Sequence, residues 1–174
     1  MRQDSGRAWH YAIGIGSNQP LSRTLTPRAI VAAAMCALDR PPFRLIGRSP
    51  IIASRPLGPS RRTYANAIAI VETPLAPPAV LACLQALENA AGRRRARRWG
   101  ARTLDLDIVL WEGGLFAAPR LLIPHPAFRT RDFVLGPLSA VAPRWRDPVS
   151  GLATTHLAAR LAKAKPVDPT PRHR

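Results

Sequence analysis

Arg98-Trp99-Gly100-Ala101-Arg102-Thr103-Leu104-Asp105-Leu106-Asp107-Ile108-Val109-Leu110-Trp111 changes character at Leu104. From there the chain alternates with a period of two, the signature of a half-buried strand. Leu104, Leu106, Ile108 and Leu110 are expected on one face, with Asp105 and Asp107 on the other. Two carboxylates at that spacing have Cα atoms roughly 6–7 Å apart. They repel one another, and they suit two hard cations about 3.5–4 Å apart that share oxygens with a phosphate chain. Upstream lie Arg93-Arg94-Arg95-Ala96-Arg97-Arg98 and then Arg102, and guanidinium forks suit phosphate oxygens. An Asp-x-Asp alone is equally at home on a solvated strand face, and an arginine run alone on a solvated or nucleic-acid-binding surface. Side by side, they point to metal-assisted phosphoryl chemistry.

Working outward from this strand, the preceding chain alternates strands and helices. Ala8 to Ile15 reads as a first strand leading into Gly16-Ser17-Asn18. Gly14-x-Gly16 has no third glycine and no Gly-Lys-Ser/Thr, so the dinucleotide and Walker readings fail. The glycines instead let backbone turn or lie close to a neighbour. Thr26-Pro27 starts a helix whose apolar body is Ala29 to Leu38. Phe43 to Ser54 reads as a second strand interrupted near Gly47 and Pro50, and the Pro-rich segment 55–62 as a loop. Tyr64 to Glu72 is a third strand. Pro77-Pro78 opens a second helix ending near Ala91, with Val80, Leu84, Leu87 and Ala91 as its buried stripe and Gln85 and Glu88 on one flank.

Beyond the acidic strand, Gly113-Gly114 suggests a hairpin-like turn and Leu121-Leu122-Ile123 a short edge segment. Phe133 to Val141 is expected to be helical, with Pro137 in its first turn, and 151–164 reads as a terminal amphipathic piece. The order strand, helix, strand, strand, helix, strand defines an α+β class. It is the ferredoxin-like βαββαβ arrangement: an antiparallel sheet with both helices on one face and the C-terminal segments covering the other.

The 174 residues are 47% apolar, a globular composition, and residues 1–164 are expected to form a single domain. The tail 165–174 is expected to be disordered. The net charge of +16, nearly all arginine, implies an anionic partner. Cys36 and Cys83 fit no metal spacing and are expected as reduced core thiols of a cytoplasmic protein. No signal peptide is visible, and no apolar run approaches the ~20 residues that cross a bilayer. His10, His156 and His173 have no partner pattern.

Four stretches together carry a resemblance: Gly16-Ser17-Asn18; Pro56-Leu57-Gly58-Pro59 with Tyr64-x-Asn66-Ala67; Arg98-Trp99-Gly100-x-Arg102-Thr103-Leu104-Asp105-Leu106-Asp107; and Ile123-Pro124-His125-Pro126 with Arg131-x-Phe133-x-Leu135-x-Pro137-Leu138. Together, over about residues 9–145, they resemble the 6-hydroxymethyl-7,8-dihydropterin pyrophosphokinases of folate biosynthesis. The resemblance implies a magnesium-dependent diphosphotransferase. Pyrophosphate would pass from ATP to the hydroxymethyl group of a reduced pterin, releasing AMP, with two Mg2+ ions bridging the ATP phosphates.

On this resemblance Asp105 and Asp107 match the metal ligands. Tyr64 and Phe133 match aromatics that sandwich the pterin, with Asn66 hydrogen-bonding its edge, backbone near Ser54 and Leu57 helping, and Trp99, a closing residue of the arginine loop, also on the pterin side. Gln85 and Glu88 line the nucleotide side. Arg93 and Arg102 match catalytic arginines, with Arg94 and Arg95 as alternative bearers of the first role. Arg98, Arg120, His125 and Arg131 match ATP contacts. Pro126 stands where some relatives carry an aromatic, and Ser54-Arg55 where Thr-Pro is common. The partners implied are ATP and the reduced pterin, with a monomer expected and no membrane. A basic ferredoxin-like RNA-binding module is the competing class. The sequence has no cluster of sheet aromatics to support it, and two aspartates on the working face would repel a phosphate backbone.

Overall fold

The structure, a computed structural model, describes residues 7–55, 62–92 and 103–164. Its centre is an antiparallel sheet built from β1 (Trp9–Ser17), β2 (Arg44–Arg48), β3 (Ile52–Ser54), β4 (Tyr64–Thr73) and β5 (Asp105–Trp111). The order is β2-β4-β1-β5, and β3 continues the β2 edge by pairing with β4. Helices α1 (Pro27–Ala37) and α2 (Pro77–Ala90) are the two crossovers, and α3 (Asp132–Val141) and α4 (Thr154–Ala164) follow the sheet. This is the expected α+β, ferredoxin-like order.

Alternation along the central strands sorts side chains into two cores. Tyr11, Ile13 and Ile15 of β1, and Ala65, Ala67, Ala69 and Val71 of β4, meet Ile30, Val31, Met35, Val80 and Leu84 of α1 and α2. The opposite face, with Ala12, Ile68 and Ile70, is covered by Leu135 and Leu138 of α3 and Leu157 of α4. Helix α1 starts as the sequence suggests: Thr26 Oγ1 accepts the Ala29 N–H at 3.3 Å and Pro27 occupies the first turn.

Several sequence expectations are corrected. The strict alternation of β5 ends at Ile108. Ile13 pairs with Ile108 but Ala12 with Leu110, so Val109 is an extra residue, a β-bulge. Leu104, Leu106 and Ile108 therefore face α1 and α2, while Val109 and Leu110 both join the core under α3. Pro137 sits at the middle of α3 instead of its first turn, because the helix begins at Asp132. On α2 the buried stripe is Pro77, Val80, Leu84 and Glu88, with Leu87 only half-buried. Leu121–Ile123 is not an edge of the main sheet. It forms β7, paired with β6 (Phe116–Ala118) in a separate two-stranded hairpin. Both cysteines are free thiols, but Cys36 is exposed and not in the core, while Cys83 is half-buried and packs against it. Among the described residues no helix is long and apolar enough to cross a membrane. The tail 165–174 lies outside the described residues.

Candidate active site

At one end of the sheet, the face that α3 and α4 cover elsewhere is left open. The floor there comes from three neighbouring strands. Gly14 pairs with Asp107 and Gly16 with Asp105 across β1 and β5, while Gly16 also pairs with Asn66 on β4. Because side chains alternate along a strand, Gly14, Gly16, Asn66, Asp105 and Asp107 share this face. The glycines keep it low. A Cβ at Gly16 would lie 3.3 Å from Asn66 Oδ1, and one at Gly14 would lie 3.2 Å from Val109 Cγ2.

A pocket opens on this floor. Its walls are Ser54 and Arg55 at the end of β3, Tyr64 and Asn66 on β4, His125, Phe128 and Arg131 from the segment between β7 and α3, and Phe133 and Val134 in the first turn of α3. A second, more polar recess lies beside it, lined by Leu81, Gln85 and Glu88 of α2 with Asp105, Leu106, Asp107, His125 and Arg131. Asp105, Asp107, His125 and Arg131 line both. They form the boundary between an aromatic, amide-lined chamber and a polar one.

The aspartate strand and His125 are held from behind. Glu88 is 4% exposed, and its Oε1 accepts the Leu106 N–H at 2.8 Å, so the residue between the two aspartates is tied to α2. β5 is an edge strand, and this bond satisfies one of its backbone donors. His125 donates its backbone N–H to Val109 O at 3.0 Å, beside the bulge. Its Nδ1 accepts the Ala127 N–H at 3.1 Å. That donor requires a lone pair on Nδ1, which puts the proton of a neutral ring on Nε2. Nε2 faces Asp107 Oδ2 at 4.0 Å. Asp107 keeps 45% of its side chain open to solvent. The Arg131 guanidinium stands 5.8 Å from the Phe133 ring.

In the aromatic chamber, Asn66 is buried and its Nδ2 donates to Ser54 Oγ at 2.7 Å. The Ser54 side chain, and not only its backbone, therefore belongs to the wall. Of the residues expected from sequence, Ser54, Tyr64, Asn66, Gln85, Glu88, Asp105, Asp107, His125, Arg131 and Phe133 come together here. Arg120 is exposed in the β6–β7 turn and is not among the residues lining either chamber. Leu57, Arg93, Arg98, Trp99 and Arg102 lie outside the described residues, as do Arg94 and Arg95. Sequence reasoning missed the floor role of Gly14 and Gly16, although their alternation with Ile13 and Ile15 places both on the face without side chains. It also missed Arg55, Phe128 and Val134, for which no local pattern exists.

A family model for 7,8-dihydro-6-hydroxymethylpterin-pyrophosphokinase (HPPK) matches residues 12–143. The chain belongs to the HPPK family. The 2-amino-4-hydroxy-6-hydroxymethyldihydropteridine pyrophosphokinase of Pseudomonas aeruginosa is 44% identical over 138 residues, 78% of this chain and 82% of that protein. That of Haemophilus influenzae is 42% identical over 132 residues, covering 75% and 79%. Among solved structures, Plasmodium falciparum HPPK-DHPS with pteroate superposes with a TM-score of 0.69 at 11% identity, a likeness of fold. It covers 90% of this chain, which spans 43% of that longer one. The HPPK reaction transfers pyrophosphate from ATP to the hydroxymethyl group of 6-hydroxymethyl-7,8-dihydropterin, giving the pterin diphosphate and AMP in folate synthesis.

Proposed function

We propose that Asp105 and Asp107 hold two magnesium ions at the boundary of the chambers, between a pterin on one side and the ATP phosphates on the other. The observation that carries this is the sharing: both carboxylates line both recesses. The donor set fits magnesium. Among the described residues no three His, Cys, Asp or Glu side chains gather as a metal cluster. Magnesium keeps several waters and takes one or two carboxylates plus substrate phosphates, so it needs no third protein ligand. When bound, the ions would neutralise phosphate charge and align the triphosphate.

The chain's own residues do the positioning. Tyr64 and Phe133 enclose the flat ring, while Asn66, fixed by Ser54, reads its polar edge. The glycine floor lets the ring lie close to the sheet. His125 offers the Nε2 proton and Arg131 its guanidinium to phosphate oxygens at the boundary. Gln85 and Glu88 line the nucleotide side. The pterin hydroxymethyl oxygen attacks the β-phosphorus, the bond from that phosphorus to the α–β bridging oxygen breaks, and AMP leaves with that oxygen. Little covalent work falls to the protein, so alignment and charge neutralisation dominate. Leu57 and Trp99 on the pterin side, and Arg93, Arg98, Arg102 and Arg120 on the phosphate side, complete the set by resemblance. A single domain over residues 1–164, acting as a cytoplasmic monomer, is part of the same reading.

The test separates chemistry from binding. Purified protein with Mg2+, ATP and the reduced pterin should release AMP and not ADP. Asp105→Asn and Asp107→Asn should retain the pterin, measured by titration without nucleotide, while losing turnover. Near-normal rates in both variants would sink the metal assignment.

A further inference from the structure

One wall of the site is carried by a segment with little regular structure of its own. Between β7 and α3 the chain makes a turn at His125 and a single 3-10 turn, Phe128–Thr130, before Arg131 caps α3. Its side chain between the two functional positions, Arg129, points away from the chambers. Arg129 donates from Nε to Asp147 Oδ2 at 2.8 Å and from Nη2 to Asp147 Oδ1 at 2.5 Å, a two-pronged pair. Its guanidinium also stands 4.6 Å from the Phe128 ring, and Phe128 is fully buried under the pocket.

Asp147 is 0% exposed and accepts three further hydrogen bonds, from Val149 N, Ser150 N and Ser150 Oγ. Its backbone closes the α3–α4 loop, donating to Leu152 O and accepting from Gly151 N. The carboxylate is thus a fixed post, and the arginine strapped to it lies four residues after His125 and two before Arg131.

We propose that the Arg129–Asp147 pair is a positioning element for catalysis. It sets the distance of the His125–Arg131 wall from the aspartates and so governs how the ATP phosphates are held. The proposal rests on the reading of His125 and Arg131 as phosphate contacts. Neither Arg129 nor Asp147 lines a chamber, so both act through neighbours.

The variants Arg129→Ala, Asp147→Ala and the double alanine separate positioning from stability. Each is assayed by AMP release with ATP varied at saturating pterin, and by thermal melting. Each single variant leaves a charge without its partner and should melt lower; the double has no orphaned charge but, like Asp147→Ala, loses the Val149 and Ser150 bonds, so it should melt no lower than Asp147→Ala and still below the parent. If the pair positions the wall, KM for ATP stays raised about tenfold in the double variant, because a wall displaced by a fraction of an ångström no longer fits the phosphates. Should the double variant show the original KM for ATP while melting below the parent, the pair is structural only and the proposal falls. If the alanine variants do not fold, Asp147→Asn, which keeps the shape and one acceptor oxygen, carries the same KM readout. Arg131→Ala distinguishes the two readings. An unchanged KM there, with a raised KM in the double variant, removes Arg131 as a phosphate contact and keeps the clamp; the reverse pattern removes the clamp.

Discussion

Replacing Glu88 tests whether α2 holds the aspartate pair in place. The carboxylate is 4% exposed and accepts the Leu106 N–H at 2.8 Å. Glu88→Leu keeps a similar volume but leaves that edge-strand donor without its acceptor. A hydrogen bond to a charged group contributes about 1.5–3 kcal/mol, and an orphaned buried donor costs a similar amount. Because burying a carboxylate is itself unfavourable, the net loss should be about 2 kcal/mol. In a chain of this length that is a drop of roughly 5 °C in Tm. Glu88→Gln retains an acceptor and should lose about 1 kcal/mol or less. Leu106 lies between Asp105 and Asp107, so Glu88→Leu should also raise the Mg2+ concentration for half-maximal AMP release, whereas Glu88→Gln should shift it little. Urea denaturation and a magnesium titration at fixed ATP read the two effects. A Glu88→Leu protein as stable as the parent, with the same magnesium midpoint, would refute the reasoning.

Asp105→Asn and Asp107→Asn should each lower kcat on the order of a thousandfold with unchanged urea midpoints, because both side chains are partly exposed. Gly16→Val places a branched side chain where even a Cβ is 3.3 Å from Asn66 Oδ1. It should raise KM for the pterin at least about tenfold while the circular dichroism spectrum is retained. Burial pushes the Asp147 carboxyl up, but the Arg129 hydrogen bonds, joined by those from Ser150 and Val149, outweigh it and hold it at about 2 against an ordinary 3.8. The resulting stabilisation, about 2 kcal/mol, is fully present above about pH 4 and is lost as the pH falls through 2. Urea midpoints between pH 2 and 5 should fall less steeply in Asp147→Asn, and parallel curves for the two proteins would contradict this.

Local pattern made much of this molecule legible. Thr26-Pro27 marks α1 through a cap that the structure contains, and the alternating aspartates place themselves on one strand face. Long-range features were not legible. The Val109 bulge is a property of the β1–β5 register, so no inspection of β5 alone reveals it. Helical periodicity puts Glu88 on a flank of α2, whereas its position is set by a backbone donor 18 residues away. Arg129 and Asp147 are likewise separated by 18 residues, with no shared motif. Ser54 looked like a backbone contact because its partner lies on the neighbouring strand. Leu57 and most of the arginine set are in segments outside the described residues, so those assignments still rest on resemblance.

The extra residue at Val109 has a use beyond geometry. Ahead of it, β5 turns its acids toward the open pocket; behind it, Leu110 swings into the hydrophobic backing supplied by α3. One strand thereby changes allegiance midway, with His125 hooked to the carbonyl at the changeover. Deleting a single residue there would not shorten the strand harmlessly. It would force a choice between presenting the carboxylates and seating the last third of the chain.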